Sequence, residues 1–122
     1  MASSKSLFDL SPEGFVWAVG MENTFIGQTE RIGERVLDEF ALTHHYQYYR
    51  EDLDRCAGLG VRAMRYGMPW YKCEPEKGRF DWSWADRAID HCVGLGIEII
   101  ADLMHYGTPL WLDNQFLNTD YE

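Results

Sequence analysis

The chain has 122 residues, enough for one small domain. Hydrophobic residues make up 46% and charged residues 25%, the balance of a globular fold rather than a disordered tail. The formal net charge of −9 argues against nucleic acid as a partner, because such a surface repels phosphates.

The N-terminal stretch MASSKSLFDLSPEGF lacks the apolar centre of a secretory signal, and residues 1–13 are expected to be a flexible lead-in. No run approaches the ~18 apolar residues needed to span a bilayer, so no membrane is expected as a partner. Residues 14–20, GFVWAVG, are short, rich in β-formers and bounded by glycines, which predicts a buried strand. The polar stretch MENTFIGQTERIGERVLDEFALT predicts a long loop with one helical turn.

In HHYQYYREDLDRCAGLG, Tyr46, Tyr49, Leu53 and Cys56 or Ala57 recur at helical spacing until Gly58 and Gly60 end the pattern. Residues 61–67, VRAMRYG, read as a second strand, and MPWYKCEPEKGRFD as a loop. Ser83 and Asp86 stand at capping-box spacing ahead of a helix in which Ala85, Ile89, Cys92 and Val93 share a face. IEIIADLMHYG predicts a third strand, apolar enough to be buried on both faces. TPLWLDNQFLNTDYE reads as loop.

One phrase occurs twice. CAGLGV at residues 56–61 returns as CVGLGI at 92–97, and each following strand ends in Tyr-Gly and a proline. That is the signature of a repeating β/α unit. Gly60 and Gly96 are the expected left-handed caps that turn each helix back towards a parallel strand. Arg65 and His105 then fall at the carboxyl ends of successive parallel strands, the rim that carries the active site in (β/α)8 barrels. A complete barrel takes about 250 residues. The expected fold class is therefore α/β, a partial TIM (β/α)8 barrel with the first three parallel strands and two helices. Residues 1–122 would be the N-terminal part of a single barrel.

Aromatic residues reach 15%; some must fill a core, and an excess also suits a sugar site, because the apolar face of a pyranose packs on such rings. Cys56, Cys73 and Cys92 are odd in number, with no Cys-x-x-Cys pair, and are expected to be reduced thiols of a cytoplasmic protein. His44 and His45 are adjacent and point different ways on a helix, so no metal set is expected from them. Asp102, a carboxylate inside an apolar strand, is expected to face the helices and to take a partner such as Arg62.

The stretches FVWAVGMENTFI, AMRYGMPWYKCEPEKGRFDW and LGIEIIADLMHYGTPLWL resemble the N-terminal third of glycoside hydrolase family 1, the β-glucosidase family, over residues 14–112. The resemblance implies substrate-site roles for Arg65, His105 and Tyr106, and a departure from the family pattern adds Glu22 and Asn23 as candidates. Arg65 matches the family's strand-two arginine, which sits beside the nucleophilic carboxylate and keeps it ionised. His105 matches a histidine that hydrogen-bonds sugar hydroxyls, and Tyr106 stands where the family has tryptophan. Thr24 and Phe25 occupy the places of a tyrosine–glutamine pair, which leaves Glu22 and Asn23 as the polar groups to take over hydroxyl binding.

Retaining glycosidases need two carboxyl groups about 5–5.5 Å apart. The resemblance puts both on strands beyond residue 122. Glu22 in MENTF lacks the glycine of the nucleophile phrase, and Glu74 follows Cys73 where the acid/base phrase has asparagine. No catalytic residue, metal or other cofactor is therefore expected in this chain, which alone should be inactive. The expected function is the front part of a retaining O-glycosyl hydrolase acting on a small carbohydrate or glycoside. The remaining strands are its implied partner. Two alternatives are a glycosidase-like pseudo-enzyme that only binds carbohydrate, and a small oligomerising α/β module without sugar chemistry.

Overall fold

The computed structural model describes residues 14–27, 36–112 and 118–119. The expected flexible lead-in lies outside the described residues. In chain order the elements are β1 (Ala18–Met21), β2 (Phe25–Ile26), β3 (Leu37–Asp38), α1 (Glu39–Leu42), α2 (His45–Gly58), β4 (Ala63–Gly67), α3 (Trp70–Cys73), α4 (Ser83–Gly94) and β5 (Glu98–Asp102). Strands β1, β4 and β5 form a parallel sheet in that order, with Gly20 opposite Arg65 and Arg65 opposite Ile100. Strands β2 and β3 form a separate antiparallel pair.

The two repeated phrases build the same turn. At the end of α2, the Gly60 amide donates to Ala57 O at 2.9 Å and the Val61 amide to Cys56 O at 3.2 Å. At the end of α4, the Gly96 amide donates to Val93 O at 3.0 Å and the Ile97 amide to Cys92 O at 3.0 Å. Both are Schellman motifs, with Gly60 at φ +82° and Gly96 at φ +74°. The backbone ladders continue past the strand ends: the Glu98 amide donates to Arg62 O at 2.9 Å and the Met68 amide to Asp102 O at 2.8 Å.

Helices α2 and α4 cover one sheet face. Leu53, Met64, Tyr66, Ala88 and Cys92 are fully buried there, with Val19 and Ile99 packed alongside. His45 ties the layer together. Its Nδ1 meets Asp52 at 2.8 Å and its Nε2 meets the Tyr66 hydroxyl at 2.7 Å. Trp84 adds a hydrogen bond from Nε1 to Tyr46 O at 3.1 Å.

Several local expectations are corrected. The first strand starts four residues after Gly14 and is partly exposed rather than buried, and the polar stretch that follows holds its expected helical turn, α1, but also the paired strands β2 and β3. Side chains make that possible: Asp38 caps α1 through the Ala41 amide, and Asn23 Oδ1 accepts from the Phe40 amide at 3.0 Å. Helix α4 has no Ser83–Asp86 capping box. Asp81 accepts from the Ser83 amide at 2.9 Å instead, and hydrogen bonds from the Ser83 hydroxyl and amide hold its carboxyl below the usual range. Val93 is exposed, and Trp84 and Ala88 take the core face it was expected to share. The third strand ends at Asp102, and Ile100 is half exposed because the described helices cover only one face.

Glu74 organises the loop between β4 and α4. The buried carboxylate accepts from Trp70 Nε1 at 2.6 Å and from the Gly78 amide at 2.7 Å, while its carbonyl accepts from Trp111 Nε1 at 2.9 Å. Glu74→Ala leaves the Trp70 and Gly78 donors without this acceptor. It should lower the unfolding free energy by about 2 kcal/mol in urea, with Glu74→Gln costing less. Gly60→Ala and Gly96→Ala force alanine to positive φ, and each should cost about 1 kcal/mol in the same measurement.

The thiols give a third check. Burial pushes Cys73 and Cys92 up to about 11, so both remain protonated below that pH. The neutral thiols are stabilising below the unfolded-state pKa, and that contribution is lost as pH rises through about 11. Near pH ~8 both should resist a thiol-specific disulfide reagent in the native protein and react quickly in denaturant.

Candidate functional site

Parallel pairing places the carboxyl ends of β1, β4 and β5 at one end of the sheet. Alternation along each strand then sorts the side chains. Val19, Met64, Tyr66 and Ile99 face the helices. Gly20, Arg65 and Ile100, matched across the sheet, take the other face, where the Arg65 and Ile100 side chains are exposed. The chain thus carries its polar strand-end groups on the face that the described helices leave uncovered.

Glu22 follows β1, and its carboxylate accepts from Arg65 Nε. The Glu22 carboxylate, with a smaller contribution from Asp102, holds the guanidinium more firmly protonated. Beyond β5, His105 Nδ1 meets Asp102 Oδ2 at 3.0 Å. A carboxylate only accepts, so Nδ1 carries the proton and Nε2 holds the lone pair of the neutral imidazole. Tyr106 is exposed at φ +63°, its ring edge-on to His105 with centroids 4.8 Å apart.

The expected turn of Asp102 towards the helices, with Arg62 as partner, is incorrect. Asp102 is two residues from Ile100 on the same strand, so it shares the open face, and its partner is His105. The regular strand stops at Asp102, so alternation does not carry on to His105. The signal was available as an acid three residues before a histidine.

Four of the five residues expected to bind substrate therefore gather at this end: Glu22 on Arg65, and Tyr106 beside the Asp102-bound His105. Asn23 does not join them. It is 4% exposed, donates to the Tyr71 hydroxyl and accepts from the Phe40 amide, so it fastens α1 to the sheet. The His45–Asp52–Tyr66 tether was not foreseen, because nothing in the spacing links residues 45 and 66. Among the described residues no cluster of three His, Cys, Asp or Glu is placed to hold a metal ion, and no helix is long and apolar enough to cross a membrane.

Comparison with known proteins finds β-glycosidases among the chains similar to this one. Beta-glucosidase 44 of Arabidopsis thaliana is 36% identical over 75 residues, 58% of this chain and 15% of its own length. Thermostable beta-glucosidase B of Thermobispora bispora is 28% identical over 134 residues, covering 93% of this chain and 28% of its own. The chain thus spans well under a third of these relatives. The solved family 1 β-glucosidase of Thermotoga maritima aligns with a TM-score of 0.60 at 24% identity, over 81% of this chain and 27% of that one, and supports the fold alone. The parallel sheet with its helices is consistent with part of such a barrel. A glycosyl hydrolase 42 model, described as beta-galactosidase, matches residues 43–119, the span holding Arg65, Asp102 and His105. The chain belongs to that beta-galactosidase family of glycosyl hydrolases.

Proposed function

We propose that this chain is the N-terminal part of a retaining O-glycosidase of the β-glucosidase and β-galactosidase kind, and that its strand-end lip forms part of the sugar subsite. The observation that carries the reading is that Glu22 just after β1, Asp102 and His105 at the end of β5, and Arg65 from the middle of β4 lie on one open face, with Glu22 on Arg65 and Asp102 on His105. Carboxylate oxygens accept from sugar hydroxyls, and imidazole Nε2 accepts or donates according to its protonation. The exposed Tyr106 ring beside His105 offers an apolar face to a pyranose.

In this reading the acid/base and nucleophile carboxylates come from strands beyond residue 122. The Arg65 guanidinium would stand beside the nucleophile and favour its charged form. Three free cysteines suit a reducing compartment such as the cytoplasm.

The test is to express the complete reading frame that contains these residues and, separately, residues 1–122. The complete product should hydrolyse an aryl β-glucoside or β-galactoside with retention at the anomeric carbon, and the 122-residue chain should not. In the complete product, Arg65→Met should lower kcat by about 10²-fold, the scale of losing one electrostatic group at a reacting centre. Turnover by the 122-residue chain alone, or an undiminished Arg65→Met enzyme, would defeat the assignment.

A further inference from the structure

We propose that Glu22 sets the charge preference of the lip: held on Arg65, its carboxylate makes the site select uncharged glycosides over glycosides that carry a phosphate or carboxylate group. The inference rests on the reading that this lip binds sugar.

The guanidinium of Arg65 is the natural anchor for an anionic substituent at these strand ends, because its fork of donors matches phosphate and carboxylate geometry. Glu22 already occupies its Nε. The placement is built into β1. Gly20 lies opposite Arg65 in the sheet, and a Cβ on Gly20 would fall 2.6 Å from Glu22 Oε1. The bare glycine therefore leaves the space into which the Glu22 carboxylate folds to reach its partner.

Charge counting points the same way. Glu22 and Asp102 supply two carboxylates against the one guanidinium of Arg65, so the lip is net negative while His105 is neutral. An incoming anion must displace Glu22 from Arg65 and also meet repulsion from Asp102. The hydroxyls of an uncharged pyranose face neither cost. They donate to the free lone pairs of Glu22 and accept from the remaining guanidinium N–H groups.

The experiment titrates methyl β-glucoside, methyl β-glucuronide and glucose 6-phosphate calorimetrically into the product of the complete reading frame, as wild type and as Glu22→Gln. The wild type should bind the uncharged glycoside at least about tenfold more tightly than either anion, a modest demand on one close charge pair. Glu22→Gln, which keeps the side-chain shape, should narrow that ratio by about fivefold or more. Raising salt should narrow the wild-type ratio too, which checks the claim without a substitution.

Equal or tighter binding of the anions by the wild type, or a ratio that Glu22→Gln leaves unmoved, overturns the assignment. Hydrolysis of an aryl β-glycoside is scored on the same preparation. A shifted ratio without turnover removes the enzymatic reading and keeps Glu22. Turnover with an unmoved ratio does the reverse. Binding of none of the three ligands removes both.

Discussion

The constraint on which the rest of this structure depends is the turn that hands each helix to the next strand. Gly60 and Gly96 adopt positive φ and close the same pair of backbone hydrogen bonds. That geometry reverses the chain and starts β4 and β5 in the same direction. Parallel strands put all carboxyl ends at one end of the sheet. Residues far apart in sequence, Glu22, Arg65 and Asp102, thereby come to one place without any direct signal between them. A helix that ended one residue later would shift the following strand by one position and exchange its two faces. Met64 and Tyr66 would then lose the core, and Arg65 would enter it.

The two faces of the sheet answer different demands. The helix-covered face is closed and aromatic, with Tyr66, Trp84 and Phe40 around His45 and Tyr49 against Trp84. Both imidazole nitrogens of His45 are matched, by Asp52 and by Tyr66, so a buried polar residue carries no unsatisfied group. The other face offers Arg65, Asp102 and exposed Ile100 to whatever approaches it. A rigid scaffold behind and polar groups in front is the arrangement by which a barrel strand serves both stability and binding.

Much of this division was legible in the sequence because it rests on local rules. The repeated glycine phrase announced the turns, apolar runs announced β4 and β5, and helical spacing placed Tyr49 and Leu53 in the core. Most of what escaped was set by contacts across the fold. Asn23 looked like a free polar group after a strand, yet the Phe40 amide and the Tyr71 hydroxyl claim it. Strand alternation does not reach His105, because the strand stops at Asp102. Val93 lost its place to Trp84, whose bulk and indole hydrogen bond decide which face of α4 turns inward. For Asn23 and Trp84 a long-range partner outweighed the local expectation, whereas Asp102 answers to a histidine three residues away.

The lip itself shows the same competition in its electrostatics. An ion pair with a half-exposed guanidinium adds little to folding stability, because water screens it and both side chains lose freedom. Stability is therefore a poor account of why Gly20 leaves its space to the Glu22 carboxylate. The effect of the pair on local potential is larger than its effect on folding. It turns a cationic strand end into one where donor and acceptor alternate from Glu22 to Arg65 and on to Asp102 and His105. A series of alternating partners suits a ring of hydroxyls, each of which donates and accepts, better than it suits a single charge. The ordering of these four side chains along the strand ends thus carries more chemical information than any one of them.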